Sequence, residues 1–174
     1  MNETLPQASV TSVALKYGFI TALIGVVYTL IIMVSDLGDN RWVSGLSYLI
    51  LIVGIVLAMK QYKTINYGYM SYGQGLGIGT LVSAVFGLLT GIFVWLYTSF
   101  VDTEYMARMQ EKQAEVLLDQ GMSDEQVDQA MAMAESFSGP LAMILGGLVG
   151  AVLVGFLLSL IISAIMKNNR PEFE

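Results

Sequence analysis

Four long stretches without a charged residue constrain the fold of this chain more than any other feature of its sequence. They run from Tyr17 to Ser35, from Trp42 to Met59, from Leu76 to Val101 and from Leu141 to Met166. A helix crosses a hydrocarbon core of roughly 30 Å with about 20 residues. The first two stretches just reach that length, and the last two exceed it. The pattern predicts an all-α integral membrane protein with four transmembrane helices.

Two other interpretations of these stretches fail on their composition. A helix on a soluble surface shows polar side chains about every 3.6 residues, but the last stretch contains only Ser159 and Ser163 as polar side chains. The first stretch is too long for a cleaved signal peptide, only Lys16 precedes it as a base, and no small-residue cleavage site follows. The chain as a whole is 13% charged, against about 25% in soluble domains.

The segment 102–138 is the one extended polar part of the chain, and we expect it to be inserted into a single four-span domain, residues 1–174. It carries nine acids and two bases, and it reads as a helical hairpin outside the membrane. Its first helix is expected to continue from the third span to about Gln120, where Gly121 ends it. Ser123 and Gln126 match a capping box that starts the second helix, and Gly139–Pro140 interrupts the chain before the fourth span.

The basic residues predict the orientation of the spans. With four spans, five bases fall on one side: Lys16, Lys60, Lys63, Lys167 and Arg170. Three fall on the other side: Arg41, Arg108 and Lys112. Because basic residues are enriched in cytoplasmic loops, both termini and the loop 60–72 are expected in the cytoplasm and the hairpin on the opposite side of the membrane.

Small residues recur at every fourth position in the third and fourth spans, and these are the candidate helix-packing residues. The row in the third span is Gly75, Gly79, Ser83, Gly87 and Gly91, and the row in the fourth is Gly147, Ala151, Gly155, Ser159 and Ser163. The fourth span has a second row, Ala142, Gly146 and Gly150. Small residues at this spacing let membrane helices approach closely. We expect the third span to pack on the fourth within one chain, in preference to a homodimer interface formed by these rows.

Aromatic residues cluster near the predicted ends of the spans. Tyr62, Tyr67, Tyr69 and Tyr72 fall in one short loop, residues 60–72, and Trp42, Trp95 and Tyr97 lie towards the opposite side. Such rings anchor helix ends at the lipid headgroups. This aromatic belt is favoured over a ligand platform, because no charged residues accompany the tyrosines in a pattern that would suit a ligand.

The sequence offers little catalytic or metal-binding chemistry. It contains no Cys and no His, and the hairpin turn does not match a calcium-binding loop. The glycines around Gly75 lack the Gly-Lys-Ser/Thr of a phosphate-binding loop. Hydroxyl groups within the spans are expected to form interhelical hydrogen bonds; they belong to Thr21, Tyr28, Thr29, Ser47, Thr80, Ser83, Thr90, Ser159 and Ser163. We therefore expect no enzyme and no cofactor or metal, and the net charge of −6 argues against nucleic acid as a partner.

Three features resemble a bacterial family of small membrane proteins, found mainly in Bacteroidetes and known as domain of unknown function family 4199. They are the Tyr67–Gly75 run, the long third span ending in Phe100-Val101-Asp102, and the Gly121–Gln126 turn. The resemblance covers nearly the whole chain. It implies a four-span fold in a bacterial inner membrane, and it brings no activity and no site residue.

Two functions are compatible with these observations. The first is a non-enzymatic structural or accessory subunit, with membrane lipid and a protein partner or a second copy as its binding partners. It is favoured by the glycine-rich faces and by the methionines of the hairpin, which adapt to varied surfaces. The alternative is a small transporter or channel for a neutral or lipid-like solute, favoured by spans that carry hydroxyls and no charge.

Overall fold

The structure, a computed structural model, describes residues 9–38, 40–136 and 139–170. Its helices are α1 (Val10–Val34), α2 (Arg41–Ile65), α3 (Tyr72–Phe100), α4 (Tyr105–Asp119), α5 (Asp124–Ser136) and α6 (Pro140–Met166). No strand forms within the described ranges. The helices α1, α2, α3 and α6 are long and apolar enough to cross a membrane, which confirms the all-helical class and is compatible with a multi-pass membrane protein.

Each charge-free stretch coincides with one long helix, and the first and third stretches also include the C-cap residue. The helices α1 and α2 extend furthest beyond their stretches. The helix α1 begins at Val10 and includes Lys16, and α2 continues through Lys60 and Lys63. Backbone hydrogen bonding does not stop where the apolar sequence stops, and a lysine can keep its stem on apolar surface while its ammonium reaches water. Charge placement therefore locates these helices without giving their ends.

The expectation that one helix continues from the third span to Gln120 is wrong. The helix α3 ends at Phe100, and α4 starts anew at Tyr105. Asp102 accepts two hydrogen bonds from Arg108, at 2.6 and 3.2 Å, and the Tyr105 ring packs edge-on against Tyr97 with centroids 6.5 Å apart. These contacts between residues on either side of the turn stabilise a break that helical periodicity alone does not reveal.

The turn between α4 and α5 agrees with its sequence-based prediction. Gly121 has a φ of +86°, a left-handed conformation that suits glycine after a helix end. The backbone N–H of Gln126 donates to Ser123 Oγ at 3.4 Å, and the backbone N–H of Ser123 donates to Gln126 Oε1 at 3.0 Å. This reciprocal pair confirms the capping box that starts α5.

The helix α3 is the centre of the bundle, because its contacts with α6 and α1 are the most extensive between helices and it also contacts α2. The largest core cluster lies towards the end where Lys60, Lys63 and Lys167 are found, which we call the basic end. Its buried members are Val13, Ala14, Leu51, Ile55, Ala58, Met59, Tyr62, Met70, Ile78 and Val82. A second cluster, formed by Met33, Tyr97 and Tyr105, lies at the opposite end, which we call the α4 end.

Tyr62 does not belong to an aromatic belt, contrary to the sequence-based expectation. Its side chain is 1% exposed and lies in the core beside Met59. It shares a helix face with Ile55 and Met59, since the spacings of seven and three residues bring all three to one side. Tyr97, which was also expected in the belt, is 7% exposed and packs with Met33 and Tyr105. Tyr67 and Trp42 are 58% and 88% exposed, as residues of a belt would be.

Candidate functional site at a small-residue helix interface

The two rows of small residues meet in antiparallel register along the contact between α3 and α6. Gly75 lies against Ser163, Gly79 against Ser159 and Ser83 against Gly155. Further along, Gly87 lies against Ala151 and Gly91 against Gly147. Each step moves four residues forward on α3 and four residues back on α6, as antiparallel helices require. The candidate packing residues are thus brought together within one chain, in the preferred arrangement.

The helix backbones approach so closely at this interface that a methyl group has no room in its middle. A Cβ atom built on Gly87 would lie 2.5 Å from the Ala151 Cβ and 2.5 Å from the carbonyl oxygen of Gly147. One built on Gly147 would lie 3.2 Å from the Gly91 Cα. The obstructing atoms are backbone atoms or a Cβ, which cannot rotate away. This part of the interface therefore depends on the absence of side chains.

Most hydroxyls in the long helices bond within their own helix, which corrects the expectation of interhelical hydrogen bonds. Ser83 Oγ donates to the Gly79 carbonyl at 2.8 Å, and Ser159 Oγ donates to the Gly155 carbonyl at 2.6 Å. Thr21, Thr80 and Thr90 likewise donate to the carbonyl four residues before them. That carbonyl is the nearest acceptor for a hydroxyl in a helix, so no partner across the interface is required.

Tyr28 and Ser163 depart from this pattern. Tyr28 in α1 donates to the Val43 carbonyl of α2 at 2.6 Å, which is an interhelical bond as expected. The hydroxyl of Ser163, opposite Gly75, is buried without a hydrogen-bond partner in the described part of the chain. A buried polar atom in that state costs about 1–3 kcal/mol.

The second row on α6 contributes to a cavity instead of a helix contact. No atom lies within 4 Å of a Cβ built on Gly146 or on Gly150, and both residues are exposed. They line a cavity of about 460 Å³ that also contacts Thr29 of α1, Ser47 of α2 and Thr90 of α3. Residues of all four long helices therefore form its wall.

A second cavity of about 340 Å³ adjoins the first at the α4 end. The two share Thr29, Ser47 and Thr90, and the second also reaches Met106 of α4. Tyr48, on the wall of the first cavity, is 53% exposed, so the space opens at the surface between α2 and α6. The bundle is close-packed towards the basic end and incompletely filled towards the α4 end.

A third cavity lies between α1 and α2 and has a volume of about 450 Å³. Its lining is almost entirely apolar and includes Ile20, Ile24, Leu49 and Val53. Ile24 is 54% exposed and Val53 is 55% exposed, so this cavity is a groove on the surface of the bundle. In a membrane it would face lipid chains.

The helix α4 is attached to the bundle by apolar contacts and by an ion pair. Met106 and Met109 pack on the cluster at the α4 end, and Lys112 Nζ lies 2.9 Å from the Asp36 carboxylate in the α1–α2 loop. The hydrogen bonds from the Arg108 guanidinium hold the pKa of the Asp102 carboxyl below its ordinary value. The helix α5 packs on α4 and leaves Met133 67% exposed.

A metal site is not evident among the described residues, where no group of three or more Asp and Glu side chains could hold an ion. The two bases of α4, Arg108 and Lys112, form ion pairs with Asp102 and Asp36. The cavities at the α4 end were missed by the sequence-based reasoning. The one feature of the sequence that pointed to them was the second row of small residues in α6, which includes Gly146 and Gly150. Its spacing of four residues is the same as that of the row that packs on α3.

Comparison with known proteins identifies the family to which this arrangement belongs. No curated protein and no solved structure matches the chain significantly. The sequence model of a family described as Protein of unknown function (DUF4199) matches residues 16–168. This range extends from within α1 to just beyond the end of α6. This match confirms the resemblance seen in the sequence. The chain therefore belongs to the DUF4199 family.

Proposed function

We propose that this protein is a non-enzymatic accessory subunit of the bacterial inner membrane, which binds a transmembrane helix of a partner protein between α2 and α6. The observation that supports this proposal is the pair of adjoining cavities at the α4 end, with the glycines Gly146 and Gly150 open on the wall of the larger one. The first row of small residues on α6 already packs on α3. The second row, with Gly146 and Gly150, is therefore the one available to another helix.

A helix is a better occupant of this site than a small solute for a physical reason. Between membrane helices there is little hydrophobic driving force, and association depends on close van der Waals contact and on polar groups that find partners. Gly146 and Gly150 permit that close approach, and Thr29 and Ser47 supply hydroxyls beside it. The outer surface of α6, by contrast, presents Leu157, which is 61% exposed and suits lipid.

Photocrosslinking tests the position of the partner. A photoreactive amino acid at Gly150 should crosslink in cells to one defined membrane protein or to a second copy of this chain. The matched control is Ile161, which is on the same helix, 63% exposed and outside the cavity lining; it should crosslink mainly to lipid. The proposal would be abandoned if both positions gave the same products, or if Gly150 captured lipid alone.

The proposed orientation places both termini in the cytoplasm and α4 with α5 in the periplasm. It is supported by the excess of bases at the basic end. Cysteines introduced near residues 3 and 172, which lie outside the described residues, should be protected from an impermeant thiol reagent in intact spheroplasts. A cysteine replacing the exposed Asp119 of α4 should react before lysis and serves as the control. Reaction of either terminal cysteine before lysis would contradict this topology.

The second candidate function, a transporter or channel for a neutral or lipid-like solute, is favoured by the hydroxyls of Thr29 and Ser47 on the cavity wall. The core at the basic end separates this cavity from the other side, because Leu51, Ile55 and Met59 are at most 2% exposed. Transport would therefore require a rearrangement of α2. Solute flux in proteoliposomes that Gly150→Leu abolishes would support this candidate over the first.

A further inference from the structure

The basic end of the bundle is closed by a small clasp between two segments that are distant in sequence. Met70, before α3, and Asn168, after α6, exchange two backbone hydrogen bonds of 2.8 Å. The Asn168 side chain also donates to the Gly68 carbonyl at 3.0 Å, and Lys63 Nζ donates to the Met166 carbonyl at 3.0 Å. These bonds hold the C-terminal segment across the α2–α3 loop.

The clasp borders a polar cavity of about 340 Å³ that is open at the surface, whereas the cavities elsewhere in the bundle are mainly apolar. This volume is within the range of small-molecule sites, about 300–1,000 Å³. The cavity is lined by Asn66, Tyr69, Met70, Ser71, Gln74, Asn168, Asn169 and Arg170. Its wall therefore combines one guanidinium with several amides and a hydroxyl.

Arg170 is held in place on this wall by neutral groups. Its guanidinium lies over the Tyr69 ring, 5.6 Å from the centroid, and donates to Asn66 Oδ1 at 3.4 Å. Asn66 is only 3% exposed, and its amide donates to the Tyr69 carbonyl at 2.8 Å. No carboxylate of the described residues forms an ion pair with Arg170. The guanidinium is thus oriented but not neutralised by the described part of the chain.

Two polar side chains beside Arg170 have donors to offer a ligand. The backbone N–H of Ser71 donates to Gln74 Oε1, and that of Gln74 donates to Ser71 Oγ. In this capping box the side-chain oxygens act as acceptors, so the Gln74 amide N–H₂ and the Ser71 hydroxyl proton remain as donors. A guanidinium with neighbouring donors suits an anion, and its fork matches phosphate oxygens in particular.

The surrounding charge favours the same ligand. Lys16, Lys60, Lys63 and Lys167 are at or near this end, whereas every acid in the described ranges is at the α4 end, in the α1–α2 loop or between α3 and α6. The cavity also lies where α2, α3 and α6 leave their apolar stretches, which is the depth of the lipid headgroups. Basic residues at that depth attract anionic lipids.

We propose that this cavity binds the phosphate group of an anionic phospholipid, with Arg170 as its main charged contact and with Ser71 and Gln74 as further donors. The acyl chains of such a lipid would extend along the bundle into the membrane. This proposal does not depend on the partner helix proposed for the opposite end, because the two sites share no residue.

The test measures lipid binding by the full-length protein in neutral detergent, with native mass spectrometry and thermal stability as readouts. Phosphatidylglycerol should bind and raise the melting temperature, and phosphatidylcholine should do so much less. Arg170→Gln should weaken phosphatidylglycerol binding by about tenfold, as expected for loss of a charged hydrogen bond. The control Lys167→Gln removes an exposed charge at the same end, outside the cavity lining, and should retain most of the affinity.

Three results would overturn the proposal. The first is equal binding of phosphatidylglycerol by the wild type and by a folded Arg170→Gln variant. The second is an equal loss in both variants, which would indicate attraction by overall charge and not a site. The third is binding of inorganic phosphate that depends on Arg170 while the lipid does not bind, which would identify free phosphate as the ligand. If Arg170→Gln fails to fold, Gln74→Ala should still weaken lipid binding, and unchanged binding by that variant also counts against the site.

Discussion

Replacing Gly87 or Gly155 with leucine should lower the free energy of unfolding by about 3 kcal/mol or more, at the upper end of the cost of overpacking a core. At Gly87 the new side chain would meet the Gly147 carbonyl oxygen and the Ala151 Cβ, and at Gly155 it would meet the Ser83 Cβ. Since neither obstruction can rotate away, α3 and α6 must separate and lose close contact along the interface. A decrease of that size in the free energy of unfolding should lower the melting temperature in mild detergent by roughly 10 °C.

Two control variants separate this effect from the general cost of a larger side chain. Gly150→Leu adds the same side chain to the same helix, where no atom lies within 4 Å of the new Cβ. Val94→Leu adds one methylene to a residue that lines a cavity. Both should change the melting temperature by only a few degrees. If all four variants melted together, the close-packed interface between α3 and α6 would not be a main source of stability.

The segment Asp102–Ser138, excised as a peptide, should be largely unfolded in buffer, although α4 and α5 are helical in the full chain. Part of its support comes from other parts of the protein: Tyr105 packs on Tyr97 and Met33, and Lys112 pairs with Asp36. Without them few apolar contacts remain, and domains below roughly 40 residues seldom fold without metals, disulfides or assembly. Circular dichroism of the peptide measures how much of its helicity is lost.

Helix propensity and tertiary support can be distinguished in the same peptide. Trifluoroethanol should restore helicity without a cooperative thermal transition, because it promotes local helix and no packing. Hydrogen exchange on the intact protein should show protection at the start of α4, near Met106 and Met109, that the peptide lacks. A cooperative transition of the peptide with high helicity in plain buffer would show instead that α4 and α5 form an autonomous domain.

Local chemistry was enough to predict several features of this protein from its sequence. The four long helices follow from runs of apolar residues, because a backbone in lipid must satisfy its hydrogen bonds within the segment. The start of α5 follows from Ser123 and Gln126, which are only three residues apart. The face that α3 and α6 share follows from a spacing of four residues, which is a property of each helix by itself.

Other features depend on which distant segments meet, and only the tertiary structure decides them. The alignment of α3 and α6 decides that Gly75 lies against Ser163. It also decides which row of small residues on α6 packs on α3 and which row lines a cavity. The hydrophobic pattern does not encode this alignment, because each row taken alone satisfies the same rule. Sequence therefore determined which segments of this protein are helical and membrane-compatible. Tertiary packing determined the break before Tyr105, the burial of Tyr62 and the clasp that orients Arg170, because each arises from a contact whose partner lies elsewhere in the fold.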